Sequence, residues 1–282
     1  MPKIAIVTDS TAYIPKDLLQ KYNLTVAPQV LIWGEEVFQD GVDIQPDEFY
    51  TRLKNAKIMP STSQVTPGTL HKIFCDLIDK DYQVLAILIS ANLSGTIDSA
   101  IQAKQMLPGA TIEIVDSGTT AMAMGFQILM VARAIEQGAN LAESVELAKK
   151  ARGYTGVVFA VDTLEFLHRG GRIGGASRFL GTALNIKPIL EVVEGRVVAI
   201  ERVRTRNKSL ERLVQLAEER VIGKKPVRLA TLHANAEADA KELLKQAESK
   251  LDVVESIFTE VSPVVGTHAG PGTVGLAFMA GM

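Results

Sequence analysis

Four stretches of the chain carry side chains suited to handling an anion. Pro60-Ser61-Thr62-Ser63-Gln64 sets three consecutive hydroxyls and an amide between two segments of helical spacing. Hydroxyls and backbone amides in such a loop can meet an anionic oxygen at a cleft, and the same residues can simply cap the next helix. Ser90-Ala91-Asn92-Leu93-Ser94-Gly95-Thr96 leaves a strand-like run and enters a helical one. Its hydroxyls and free N–H groups therefore fall at a helix N-terminus, where a phosphate or carboxylate is favoured. His268 heads the third stretch, Ala269-Gly270-Pro271-Gly272-Thr273-Val274-Gly275, where it can donate to an anion, shuttle a proton or serve structure alone. That stretch contains a literal G-x-G-x-x-G. A dinucleotide fingerprint needs a helix and a second strand behind it, however, and only Leu276 to Met282 follow. The glycines more simply let the backbone pass close to a ligand or another segment. In the fourth stretch, Arg169-Gly170-Gly171-Arg172-Ile173-Gly174-Gly175, two arginines sit in a turn-rich segment, and Arg202, Arg204 and Arg206 recur at period two. Extended, those three would project from one face, as a solvated edge or as a dock for an acidic or phosphate-bearing partner.

Several enzyme classes lack their signatures. There is no G-x-S-x-G elbow, no H-E-x-x-H and no G-x-x-x-x-G-K-S/T loop, and His71, His168, His233 and His268 are scattered without ligand spacing. A zinc enzyme, a P-loop kinase and an α/β-hydrolase are thereby disfavoured, and no metal is expected.

The elements that must position these residues follow from periodicity. Lys3 to Val7, Leu24 to Trp33, Val84 to Ser90 and Thr111 to Val115 are short β-branched runs. Helical spacing covers Pro15 to Tyr22, Pro46 to Asn55, Pro67 to Asp79, Thr96 to Met106, Thr119 to Gln137 and Leu141 to Arg152. Strands alternating with helices predict a doubly wound, mostly parallel sheet. Val7-Thr8-Asp9-Ser10 is echoed by Ile114-Val115-Asp116-Ser117, each closing a predicted strand, and Ser90 closes a third. Carboxyl ends of parallel strands border the ligand crevice, so three polar ends are expected along one rim. Beyond about residue 153 the pattern changes. Gly156 to Val161 reads as a strand, Leu164 to Leu184 is rich in glycine and arginine, and two strands flank the turn Glu194-Gly195. Helices are expected at Ser209 to Val221 and Ala236 to Leu251, strands at Val227 to Leu232 and Val253 to Glu260. The fold class predicted is α/β in two domains: an N-terminal doubly wound domain, 1–153, and a C-terminal α+β domain, 154–282, whose 268–275 loop returns to the ligand site.

Composition narrows the partners. Lys plus Arg number 30 against 32 for Asp plus Glu, a net charge of -2. Splitting the chain before residue 154 gives 13 basic against 17 acidic, then 17 against 15, so the halves carry -4 and +2. That asymmetry implies no nucleic-acid partner. A single cysteine, Cys75, flanked by Phe74 and Leu77, excludes an internal disulfide and reads as a buried thiol of a reducing cytoplasm. Met1 to Ser10 lacks the pattern of a secretory signal, and no run approaches the length of a membrane span. A cytoplasmic protein without integral membrane association is expected.

Taken together, Val7 to Ser10, Pro60 to Gln64, Ser90 to Thr96, Arg169 to Ile173 and His268 to Gly275, in this order and at these spacings, resemble the DegV family over essentially the whole chain. The resemblance implies two α/β domains with a long-chain fatty acid such as palmitate or stearate in a tunnel between them. It implies a non-catalytic role, as the acyl-binding subunit of a bacterial fatty-acid kinase, with the fatty acid as ligand and no cofactor. By the same resemblance the carboxylate is held at Thr62 and Ser94, with Ser63 and Gly95 adjacent and His268 close to the head group. A separate kinase subunit similar to dihydroxyacetone kinases would transfer phosphate from ATP to the carboxylate, giving an acyl phosphate for phospholipid synthesis. Arg169, Arg172 and Arg202 are then the residues expected to face that partner or the phosphate. A buried carboxylate needs hydrogen bonds, which hydroxyls and helix-terminal N–H groups supply. The absence of Lys and Arg from the two hydroxyl loops suits a ligand that must be handed on. The tail needs an apolar tunnel, for which Ile32, Met122, Phe126, Ile128, Phe159, Leu164, Phe166 and Phe278 are candidate lining residues. Two other readings stay open: an acyl or phosphoryl hydrolase with Ser94 or Ser63 as nucleophile and His268 as base, and a nucleotide- or sugar-phosphate-binding protein.

Overall fold

The structure, a computed structural model, describes residues 3–180 and 186–282. Residues 181–184 of the glycine- and arginine-rich stretch, and the first two residues of the chain, lie outside it.

The first sheet is wholly parallel, in the order β2 (Thr25–Ala27), β1 (Lys3–Asp9), β6 (Tyr82–Leu88), β7 (Ile112–Asp116). Period-two alternation sends Ala5, Val7, Val84, Ala86 and Leu88 to one face and Ile6, Leu85 and Ile87 to the other, and both faces are buried. The first face is covered by α3 (Pro67–Ile78) and α4 (Thr96–Gln105), the second by α5 (Ala121–Glu136) and α6 (Leu141–Ala151). Local signals set the helix ends. Thr66 accepts from Thr69 N ahead of α3, and Asn140 forms a capping box with Glu143 ahead of α6. Asp9 and Asp116 brace strand ends: Asp9 accepts from Ile89 N at 2.7 Å and Asp116 from Gly118 N at 2.7 Å.

The second sheet is mixed, in the order β10 (Arg196–Val203), β9 (Lys187–Val193), β8 (Thr155–Ala160), β13 (Val274–Ala280), β11 (Val227–His233), β12 (Val253–Glu260). The β9–β10 hairpin turns at Glu194-Gly195, both at positive φ, as a two-residue turn between twisted strands demands. Strands β11 and β12 are parallel and joined through α9 (Glu237–Lys250), which with α8 (Arg206–Val221) covers one face. The other face packs on α5, so α5 is buried between the two sheets and one core runs through both.

A third, antiparallel sheet, β4 (Glu36–Gln39), β3 (Val30–Trp33), β5 (Ser61–Ser63), sits beside them. The short helices α1 (Lys16–Lys21), α2 (Pro46–Leu53), α7 (Glu165–Arg169) and α10 (Pro263–Ala269) complete the chain.

Four expectations change. The run 24–33 is two strands in different sheets, split at Pro28-Gln29, where proline removes a ladder donor. The stretch Pro60 to Gln64 is not a free loop, because Ser61–Ser63 pairs with β3, Thr62 opposite Leu31. His268 does not head a loop: it lies in the last turn of α10, and the glycines follow it into the central strand β13. Cys75 is only partly buried, with its sulfur 3.7 Å from His71 Nε2. Among the described residues no helix is long and apolar enough to cross a membrane, and no group of His, Cys, Asp and Glu is arranged to hold a metal ion.

Candidate functional site

A cavity opens between the two large sheets. Its walls are apolar: Ile89 and Ala121 come from the first sheet and its helix, Val157, Phe159, Val192, Val197 and Leu232 from the second, Val264 and Val265 from α10. The space between its lining atoms, including the part open to solvent at the mouth, is about 870 Å³. One end is polar, formed by Thr62 and Ser63 of β5, Ser94 ahead of α4, Arg172, and His268. Thr62, Arg172 and His268 also line a second, outer pocket with Phe166, Arg169, Ser61 and Met59. These three residues therefore form the boundary between an apolar interior and a more polar vestibule.

Pairing of β5 with β3 aims Thr62 at α10, and Thr62 Oγ1 lies 2.7 Å from His268 Nε2. The other ring nitrogen, Nδ1, has no hydrogen-bond partner among the described residues. The ring is pressed against the backbone of Gly170, where a Cβ would stand 2.0 Å from Nδ1. Burial first, and the Arg172 charge second, lower the His268 pKa to about 4 from 6.5, so the imidazole is neutral at pH 7. Arg172 bridges the mouth, donating from Nε to Leu93 O at 3.0 Å and from Nη1 to Gly170 O at 2.8 Å.

Ser94 Oγ sits 2.9 Å from Thr96 Oγ1. The first residue of α4 is preceded by Gly95, which supplies no capping side chain, so the first N–H groups of the helix keep their donor capacity. A Cβ at Gly95 would stand 3.2 Å from Gln64 Cδ, so glycine lets the two hydroxyl loops close on each other. The hairpin tip of the second sheet fastens the Ser90 to Asn92 turn: Asn92 Nδ2 donates to Glu194 O at 3.0 Å and Ser90 Oγ to Gly195 O at 3.4 Å.

The sequence-selected residues thus divide. Thr62, Ser63, Ser94, Arg172 and His268 converge on one end of the cavity, with Gly95 beside them. Arg169 lines only the vestibule and pairs with Glu165 at 2.5 Å. Arg202 lines neither pocket and stacks on Phe179, 4.9 Å from its centroid. The three-arginine stripe does not form, because β10 ends at Val203 and Arg206 opens α8, bonded to Asp239 at 2.8 Å. The hydroxyl loops contain no basic residue, yet Arg172 arrives from elsewhere, so the polar end is not neutral. The polar strand ends form no rim: Asp9, Asp116 and Ser90 brace backbone and do not line the cavity. Of the proposed tunnel residues Phe159 lines the cavity and Phe166 the vestibule, while Met122, Phe126 and Ile128 fill the core around α5 and Ile32, Leu164 and Phe278 lie elsewhere. Sequence reasoning missed Gln29, a cavity-lining amide whose one signal was a polar residue interrupting an apolar run. Among the described residues no Ser–His–carboxylate relay is assembled here, since His268 bonds Thr62 and its Nδ1 meets no acid.

Comparison with known proteins is consistent along the whole chain. The DegV family model, described as "Uncharacterised protein, DegV family", matches residues 3–281. Protein DegV of Bacillus subtilis is 34% identical over 280 residues, 98% of each chain. A DegV family protein from Thermus thermophilus, its structure described as showing fatty acid binding, has a TM-score of 0.93 at 34% identity over 99% of both chains. A stearic acid-binding protein from Eubacterium ventriosum has a TM-score of 0.92 at 27% identity, over 99% of this chain and 98% of its own. Relatedness in sequence over nearly the full length, together with the same path of the backbone, makes the chain a member of the DegV family.

Proposed function

We propose that the protein binds a long-chain fatty acid in the cavity between its sheets, with the carboxylate at Thr62, Ser94, Arg172 and His268, and presents it to a separate ATP-dependent kinase subunit. The observation that carries this reading is a cavity apolar along its walls whose polar end is shared with an outer vestibule. A ligand with one charged end and a long hydrocarbon tail fits that division of surface, and the fatty acids bound by the Thermus thermophilus and Eubacterium ventriosum proteins have this form. Each methylene taken from water contributes about 0.8 kcal/mol, so the tail supplies most of the affinity and the head group sets direction.

The head-group chemistry follows from the protonation of His268. The ring is neutral, and we assign its proton to Nε2, the tautomer in which the imidazole donates across the 2.7 Å contact to Thr62 Oγ1 and leaves the Thr62 proton for a carboxylate oxygen. Ser94 supplies a second O–H and Arg172 a positive charge held by two carbonyls. Handover to a kinase subunit similar to dihydroxyacetone kinases is supported by the vestibule, where a phosphoryl group would approach the carboxylate past Arg169 and Arg172.

The test is calorimetric titration of lipid-stripped protein with hexadecanoate and octadecanoate. Thr62→Val and Ser94→Ala should each weaken binding by about 1.5–3 kcal/mol, the worth of a hydrogen bond to a charged group. Adding the kinase subunit and ATP should then yield acyl phosphate only with the loaded protein. Unchanged affinity in both variants would overturn the head-group assignment, and acyl phosphate formed equally without the protein would overturn the handover.

A further inference from the structure

Ser94 is the near end of a line of buried and partly buried hydrogen bonds. Thr96 Oγ1, 2.9 Å from Ser94 Oγ, accepts from Gln29 Nε2 at 3.0 Å. Thr96 is fully buried, and Gln29, 2% exposed, lines the cavity itself. The Gln29 amide also adjoins Asp9, whose carboxylate already accepts from Ile89 N, Thr11 N and Thr11 Oγ1. The Gln29 backbone N–H donates to Ser10 Oγ, and Ser10 donates to Asp40 Oδ2 at 2.6 Å. Asp40 Oδ1 accepts from Val264 N in the first turn of α10, the helix that carries His268. Gln29 thus stands where the supports of both head-group elements meet.

Direction along the line follows from what each group can do. A carboxylate with its lone pairs turned to N–H and O–H groups is an acceptor, so the NH2 end of Gln29 is the end that suits Asp9, and it is the same NH2 that reaches Thr96. With its oxygen served by Gln29, Thr96 has its own proton for Ser94. The competing arrangement, Thr96 donating back to Gln29 Oε1, spans 3.3 Å and is the longer contact. Ser94, receiving from Thr96, has its proton left for the cavity. From Gln29 through Thr96 to Ser94 each step then donates towards the ligand, and aligned hydrogen bonds polarise one another in a low-dielectric interior.

We propose that Gln29 is a positioning residue that fixes Ser94 as a donor, and so makes the site select a carboxylate over the primary alcohol of the same chain length. A carboxylate, an acceptor only, takes the Ser94 proton in a charge-assisted hydrogen bond, whereas an alcohol makes the weaker neutral bond and its own proton has only the lone pair of Ser94 that Thr96 leaves over. The inference rests on the fatty-acid reading above.

The experiment measures affinity for hexadecanoate and for 1-hexadecanol in the intact protein, in Gln29→Met and in Thr96→Val, with thermal unfolding as the check on folding. Both substitutions keep side-chain volume and remove a link of the line. Hexadecanoate should weaken by about ten-fold or more in each while hexadecanol changes little, so that the ratio of the two affinities narrows. A purely structural role would weaken both ligands together, and that result, or unchanged hexadecanoate affinity, overturns the proposal while leaving the fatty-acid reading intact. Should Gln29→Met not fold, Thr96→Val decides alone. An unsubstituted protein that binds neither ligand defeats the fatty-acid reading itself.

Discussion

Replacing Gly170 by alanine separates the site from the scaffold that holds it. Gly170 has φ -76° and ψ -5°, a conformation alanine adopts freely, so the backbone does not require glycine here. Space does: the new methyl would stand 2.0 Å from His268 Nδ1, 2.8 Å from Cε1 and 3.1 Å from Cγ. The ring must leave its place, and the 2.7 Å contact with Thr62 goes with it. Stability changes little, because reduced unfolded-state entropy contributes about 0.4–1 kcal/mol and the lost hydrogen bond costs about 0.5–1.5 kcal/mol. Binding suffers more, since Thr62 loses the partner that frees its proton for the carboxylate, a deficit of about 1.5–3 kcal/mol or roughly 10- to 100-fold in Kd. The neighbouring Gly171 gives the opposite result. It has φ +71° and no described residue within 4 Å of a Cβ, so alanine there strains the backbone by about 1–2 kcal/mol without touching His268. Thermal unfolding and calorimetric titration with hexadecanoate on both variants should show Gly170→Ala losing affinity at nearly constant Tm, and Gly171→Ala losing Tm at nearly constant affinity. If Gly170→Ala binds like the unsubstituted protein, or the two variants behave alike, the placement of His268 against Gly170 is refuted.

Two further perturbations probe the charge and the shape of the cavity. Because His268 is held neutral, with its pKa at about 4 against 6.5 for the free side chain, its contribution to stability is complete above pH 6.5 and is lost as the pH falls towards 4 while the unfolded chain takes up the proton. The stability of the protein relative to His268→Gln should therefore fall by about 2–3 kcal/mol across that window, measured by denaturant unfolding at each pH. Asp40, whose carboxyl burial raises to about 6, titrates in the opposite sense but is common to both proteins and cancels in the difference. A flat difference would refute the buried neutral imidazole. Val197→Phe on β10 fills part of the apolar wall, so octadecanoate should lose more affinity than tetradecanoate, by about 0.8 kcal/mol for each methylene left without a place. Equal losses for the two acids would show that Val197 does not limit tail length.

Legibility in the sequence tracked how local the determining physics was. The helices of the first sheet announce themselves through caps and spacing, as at Asn140-Glu143 and Thr66-Thr69, and the hairpin turn does so through Glu194-Gly195. Strand β13 was hidden because all seven of its residues are buried on both faces, which erases the alternation that marks a strand. Strand β5 was hidden for the reverse reason, since Ser61–Ser63 owes its conformation to pairing with β3 and to no propensity of its own. Hydroxyl clusters and the lone histidine pointed to the polar end of the cavity, but nothing in a glycine-rich segment tells that Arg172 will reach Leu93, 79 positions away. Nor does an apolar side chain show whether it will face a tunnel or a core, which is why Phe126 and Ile128 were expected in the cavity and lie beside α5 neighbours instead.

Whether the cavity holds a fatty acid is read out by native mass spectrometry of the freshly purified protein, followed by organic extraction and identification of whatever travels with it. Fatty-acid binding in the cavity predicts one long-chain fatty acid per chain, released as a free acid of defined length. A mass equal to that of the bare chain, unchanged after incubation with tetradecanoate, hexadecanoate and octadecanoate, would contradict it.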